Sequence, residues 1–312
     1  TGSAAAAAAA ASGNTKVVVP LPDDDEYLLM FLRWKQDVKR AAGRYRSFVE
    51  WKRSKDNVGI FDTSLRLHQD SKLEKVMTSE VIIAPPTLTT KRKKTHGDGG
   101  GGGGGPLLIG RLRNNDMKDG RRPDDVVRMI FYTIDQTLTQ RPEMQQYGAT
   151  ILHDLRGFDP TRNASPPAAK KLFSALLGHF PIRINAVYFY KAPWVFSHMF
   201  FPLLSKIIMT KKLRHRVHFI SSLDEIKDVV DLEQLPDELL RDDLGISDGS
   251  GNGGEDGKDD SAADEATTAT TTTTKTSKLD WNIQDWITHQ KQKESDIDSF
   301  RTLTLIGCEE KL

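Results

Sequence analysis

Along residues 23–54 apolar side chains return at steps of three and four, through Leu28, Phe31, Leu32, Val38, Ala41, Ala42, Tyr45, Phe48 and Trp51. That period predicts a helix, with Asp24 and Asp25 at its positive end and Lys35, Lys39, Arg40 and Arg44 on its wet side. A second helix is expected from Pro123, whose ring suits a first turn, through Val126, Val127, Ile130, Ile134 and Leu138. Two short apolar runs, residues 149–155 and 186–190, read as buried strands, and residues 167–177 between them read as a helix. Strand, helix, strand at this spacing is a crossover unit, so the two strands should be parallel. Residues 107–112 and 217–220 supply further strands, and Ser222-Leu223-Asp224-Glu225 has the form of a capping box opening a helix. Near the end, Ile283, Trp286 and Ile287 share a helical face, while residues 300–306 alternate as a strand does.

Between these elements the pattern lapses. Residues 1–14 are low in complexity, Lys91-Arg92-Lys93-Lys94 leads into seven consecutive glycines, and residues 248–278 are first Gly- and acid-rich and then Thr-rich. Such stretches bury too little apolar surface to offset the entropy of ordering. The expected organisation is a disordered tail (1–22), a helical lobe (23–56), a linker with the basic and Gly-rich insertion (57–105), an α/β domain (106–236), a disordered linker (237–278), and a C-terminal helix and tail (279–312).

Charge changes the picture locally rather than globally. Lys and Arg total 44 against 43 Asp and Glu, so no overall field favours nucleic acid. One cysteine, Cys308, excludes an internal disulfide and a Cys-rich zinc site, and fits a reduced, cytoplasmic setting. No apolar run reaches the length of a membrane-crossing helix, and the opening residues lack the regions of a signal peptide. Asn163-Ala164-Ser165 matches a glycosylation sequon and is read as chance. Gly249-x-Gly251-x-x-Gly254 matches a dinucleotide fingerprint only formally, because neither an apolar strand precedes it nor a helix follows. His215 and His218 have no third ligand at a suitable spacing. No nucleophile elbow occurs either. The expectation is a protein that is not an enzyme, with no cofactor and no metal.

One segment asks for an explanation. Residues 193–209 read Pro-Trp-Val-Phe-Ser-His-Met-Phe-Phe-Pro-Leu-Leu-Ser-Lys-Ile-Ile-Met, apolar nearly all round and interrupted by Pro202. An ordinary surface helix has a charged back; this one needs apolar cover on two sides. Two readings fit: a helix sandwiched in a large core, or a lid over a hydrophobic ligand that also lies in a membrane interface. Lys206 inside the segment and Lys211, Lys212, Arg214 and Arg216 just after it suit an anionic surface, at roughly 1 kcal/mol each. A solvated basic face is the plainer alternative.

Four collinear blocks carry a resemblance. Residues 24–53 (Asp-Asp-Glu-Tyr-Leu-Leu-Met-Phe-Leu-Arg through Phe-Val-Glu-Trp-Lys-Arg), residues 151–158 (Ile-Leu-His-Asp-Leu-Arg-Gly-Phe), residues 180–196 and residues 213–219 (Leu-Arg-His-Arg-Val-His-Phe) resemble, in order, the signatures of the CRAL-TRIO lipid-binding family. The resemblance implies an α/β fold in which a mostly parallel sheet floors a hydrophobic pocket, with a helical N-lobe and a mobile gate helix over residues 194–209. It places Ile151, His153, Val187, Phe189, Trp194, Phe196, Phe200, Leu203 and Ile207 as pocket candidates. It places Arg183, Lys212 and Arg216 where tocopherol-transfer members hold phosphoinositide head groups, beside Lys206, Lys211 and Arg214. Ile182, Lys191 and Arg216 depart from the phosphatidylinositol-transfer pattern, so the internal ligand is not specified as phosphatidylinositol. The implied protein is a monomer that binds a hydrophobic small molecule or phospholipid and associates peripherally with an anionic or phosphoinositide-containing membrane. The alternative is a non-transferring adaptor that senses phosphoinositides through the same domain.

Overall fold

The computed structural model describes residues 25–57, 60, 65–91, 104–243, 279 and 281–309. Of the stretches expected to be disordered, 1–22 and 248–278 lie outside the described residues, as does the Gly249–Gly254 motif. Of the expected 95–105, residues 95–103 lie outside them, while 104 and 105 are described and hydrogen-bonded to Thr90.

The first predicted helix is two. α1 (Asp25–Lys35) stops where Gln36 enters the left-handed region at φ 54, and α2 (Val38–Lys52) restarts behind Asp37. Asp37 is extended and accepts the Arg40 amide at 2.7 Å, the competition by which a short acid favours a cap over a helix interior. The span read as linker also holds structure. α3 (Ser71–Met77), capped by Asp70 on the amides of Lys72 and Leu73, buries Leu73, Val76 and Met77. It leads to the edge strand β1 (Ile82–Ile83). Nor are all the glycines free. Gly104 donates to the Thr90 carbonyl at 2.6 Å, and a Cβ on Gly105 would stand 1.7 Å from the Gly148 carbonyl oxygen. Only glycine allows that approach.

β2 (Leu107–Arg111), β3 (Ala149–Asp154), β4 (Ile184–Tyr190) and β5 (Val217–Ile220) follow as a parallel set, with β1 antiparallel at the edge, in the order β1-β2-β3-β4-β5. Parallel strands taken in sequence order, joined by crossovers of one hand, carry those crossovers on one face. α4 (Pro123–Gln140), α5 (Pro142–Tyr147) and α6 (Pro166–Gly178) make two of these connections and the apolar segment makes the third. The core records the two faces. Leu107, Ile109, Leu152, Tyr190 and Ile220 pack on the far side with Leu223, Ile226, Val230, Leu235, Leu239 and Leu240. Their odd-even alternates turn toward the crossovers.

The capping box at Ser222 is formed, but the turn it opens, Leu223–Ile226, is a 3₁₀ turn rather than an α-helix. Residues 237–243, assigned to the disordered linker, form a short helix of their own (Asp237–Asp243), held by buried Leu239 and Leu240. Its Glu238 pairs with Arg111 and Arg113, and Asp154, fully buried, takes Arg113 at 2.6 Å and Arg156 at 2.8 Å. The N-lobe joins the domain through an aromatic cluster in which Phe48 meets Phe180 and Trp51 meets Phe131 edge-on, each at 5.5 Å.

The expected strand over residues 300–306 is the end of a C-terminal helix, Ile283–Glu309. Its first half nucleates on the core, where Ile283 and Ile287 are buried and Glu294 accepts the Tyr132 hydroxyl at 2.8 Å. Once nucleated, a helix extends at little cost, which overrides the local alternation. Asn163 is buried, its amide donating to the carbonyls of Arg113 and Asn115, consistent with reading its sequon as chance.

Candidate functional site

Strand register sets the floor. Pairing aligns Leu108, Ile151, Val187 and Val217 in one row across the sheet, and Gly110, His153, Phe189 and Phe219 in the next. Side chains on a strand alternate faces, so both rows point toward the crossover side. Ile151, Val187, Phe189 and Phe196 belong to one buried cluster, with Leu155, Phe158, Ile184, Met209 and Leu213, and partly buried Phe173, Leu176 and Phe201 pack against it. The structure therefore gathers these four pocket candidates on one side of the sheet.

The roof is the apolar segment, helical from residue 194 to residue 208. Residues Phe196–Phe200 form a wide π-helical turn in which the Phe201 amide reaches back to the Phe196 carbonyl. Pro202 follows and has no N–H to return to the previous turn, a local reason for the widening. Phe196 stands 5.1 Å from Phe189 and 5.4 Å from Phe158, and Phe201 stands 5.7 Å from Phe189 and 5.0 Å from Phe219. In this conformation aromatic side chains of the roof rest directly on those of the floor. Phe200, Leu203 and Ile207 fall on the same helix, and their side chains lie outside the described residues.

Trp194 corrects the expectation. It is 66 % exposed and stacks on His198 at 5.0 Å, on the outer side of the roof. Two residues rotate a helix by roughly 200°, so with Phe196 turned inward Trp194 must turn out. Val195 and Met199 are exposed beside it in sequence, which makes the outer face apolar.

The cations divide. Lys206, Lys211, Lys212 and Arg214 are exposed, the last three on the short helix Lys211–Arg214, which Thr210 caps and Leu213 anchors. Arg216 is not among them: its guanidinium donates to the Ile184 carbonyl at the start of β4, which fixes it to the sheet. Arg183 donates to the carbonyls of Arg33 and Trp34, both at 3.1 Å, where a cation meets the negative end of α1. That contact brings the N-lobe into the basic region. Burial depresses the Lys35 ammonium pKa first, and Arg44, Arg183, Arg40 and Lys212 depress it further as like charges. A cavity of about 500 Å³ opens among Lys35, Arg40, Gly43, Arg44 and Ser47. Sequence periodicity left Lys35, Arg40 and Arg44 as wet-face residues, because nothing local relates a helical lysine to Arg183 and Lys212 far along the chain.

Among the described residues no helix is long and apolar enough to cross a membrane. Residues 98–239 match the family model of the CRAL/TRIO domain. The chain thus carries a CRAL/TRIO domain on a mixed α/β frame with a five-stranded, mostly parallel sheet, a domain of a lipid-binding and transfer family. Among solved structures, that of Sfh5 is similar at 13 % identity over 73 % of this chain and 73 % of that one, with a TM-score of 0.45.

Proposed function

We propose that this protein holds one hydrophobic molecule between the sheet floor and the roof helix, and exchanges it while docked on an anionic membrane. The observation that supports this most is the two-sided roof: Phe196 and Phe201 lie on Phe189 while Trp194, Val195 and Met199 face outward. Swinging the roof outward exposes the floor to a ligand and moves those outer side chains into an apolar interface. A lipid chain of ~16 methylenes, at ~0.8 kcal/mol each, is about 13 kcal/mol better off out of water. Release into solution is then very slow, and exchange needs contact with a membrane.

Lys211, Lys212 and Arg214, with Lys206, attract such a surface, and the Lys35–Arg40–Arg44 cavity beside Lys212 suits a multiply charged phosphate head group. On this reading the protein is a carrier rather than an enzyme. Organic extraction and mass spectrometry of purified protein test it. A lipid at one per chain supports the carrier; an empty protein that still binds phosphoinositide vesicles favours the adaptor.

A further inference from the structure

The floor contains one polar side chain where every neighbour in its row is apolar. His153 lies between Gly110 and Phe189 in register, and its ring stacks on Phe189 at 5.3 Å with 16° between planes. Its Nδ1 sits over Gly110, so close that a Cβ there would stand 2.2 Å away. The glycine thus makes room for the imidazole, and any side chain at position 110 would displace it. Nδ1 is buried and has no hydrogen-bond partner. A buried polar atom left so costs free energy that an apolar residue at this position would avoid. The residue as a whole is only half-buried, on the face of the sheet that the roof covers.

We infer that His153 is the polar anchor of the ligand site, pairing with a single buried hydroxyl or carbonyl on an otherwise apolar ligand. This rests on the carrier reading above. Neutral imidazole offers one donor and one acceptor, so either group satisfies it. Burial lowers the imidazole pKa to about 4, which keeps the ring uncharged near neutral pH. An uncharged ring does not compensate a buried carboxylate, so a neutral amphiphile is favoured over a fatty acid.

The test compares binding of hexadecanol, hexadecane and palmitate to the full-length chain, to His153→Phe and to His153→Gln. Wild type should hold the alcohol about tenfold more tightly than the alkane, as one satisfied hydrogen bond allows, and more tightly than the carboxylate. His153→Phe should abolish the preference without weakening alkane binding, and His153→Gln should retain it. The alcohol-to-alkane ratio within each protein is insensitive to a general loss of folded material. Alkane bound as well as alcohol by wild type, or a ratio unchanged in His153→Phe, overturns the anchor while leaving the carrier reading intact. Binding of none of the three by wild type overturns both.

Discussion

Phe196→Ala isolates the contact that closes the roof. The ring is 5 % exposed and touches the floor through Phe189 at 5.1 Å and the β3 turn through Phe158 at 5.4 Å. Truncating a buried phenylalanine costs about 3–5 kcal/mol, and each aromatic pair adds about 0.5–1.5 kcal/mol to the burial itself. If the roof is a separately opening unit, the loss falls on its closing equilibrium. At about 3 kcal/mol the open population rises roughly 150-fold. Amide exchange by mass spectrometry, on ligand-free protein, should then show residues 194–208 accelerated by about two powers of ten. Amides of β3 and β4 should lose no more protection than the accompanying fall in the urea midpoint accounts for, because the destabilised closed state is the reference for local opening and global unfolding alike. A large fall in the urea midpoint with unchanged exchange across residues 194–208 would refute this reasoning, because Phe196 would then be an ordinary element of a static core.

The remaining predictions concern charge, protonation and backbone strain. Alanine at Lys211, Lys212 and Arg214 together should weaken sedimentation with anionic vesicles by about 3 kcal/mol at low salt, whereas Arg216→Ala should lower the urea midpoint instead, since Arg216 holds the Ile184 carbonyl. His153 has a folded pKa depressed to about 4 from 6.5, so the unfolded chain binds its proton first as pH falls. Its contribution to unfolding should therefore cost wild type about 2–3 kcal/mol between pH 6.5 and 4, measured by urea titration, and His153→Phe should lack that part of the pH dependence. Lys191 sits at φ 47, where a lysine is strained and asparagine is tolerated. Lys191→Asn should raise the melting temperature, corresponding to about 1 kcal/mol, and no change would remove the strain from the account.

The elements that build the sheet were legible because each is a local pattern. The runs at residues 149–155 and 186–190, the helix between them and the helix after Pro123 all have a period that one window contains, and the structure has them as β3, β4, α6 and α4. The apolar roof was legible for the same reason, since no charged back interrupts it. What failed needed information from elsewhere in the chain. The break at Gln36 follows from the Asp37 cap competing with a continuous apolar stripe. The helical end of the chain follows from docking of Ile283, Ile287 and Glu294 on a core the alternation at residues 300–306 does not register. The resemblance grouped Trp194 with Phe196 as pocket candidates, and only the helix phase sets one outside and the other on Phe189. Arg216 and Lys211 look alike in sequence; a single backbone carbonyl separates them.

The most direct test of the account is transfer of a fluorescent lipid between vesicles as acceptor concentration is varied. A ligand about 13 kcal/mol better off out of water leaves the protein mainly at a membrane. The transfer rate should therefore rise in proportion to acceptor vesicles, rise further with their anionic content, and fall with salt. A rate independent of acceptor concentration, or no transfer by a protein that is folded and lipid-loaded, would contradict exchange through a roof that opens on the membrane.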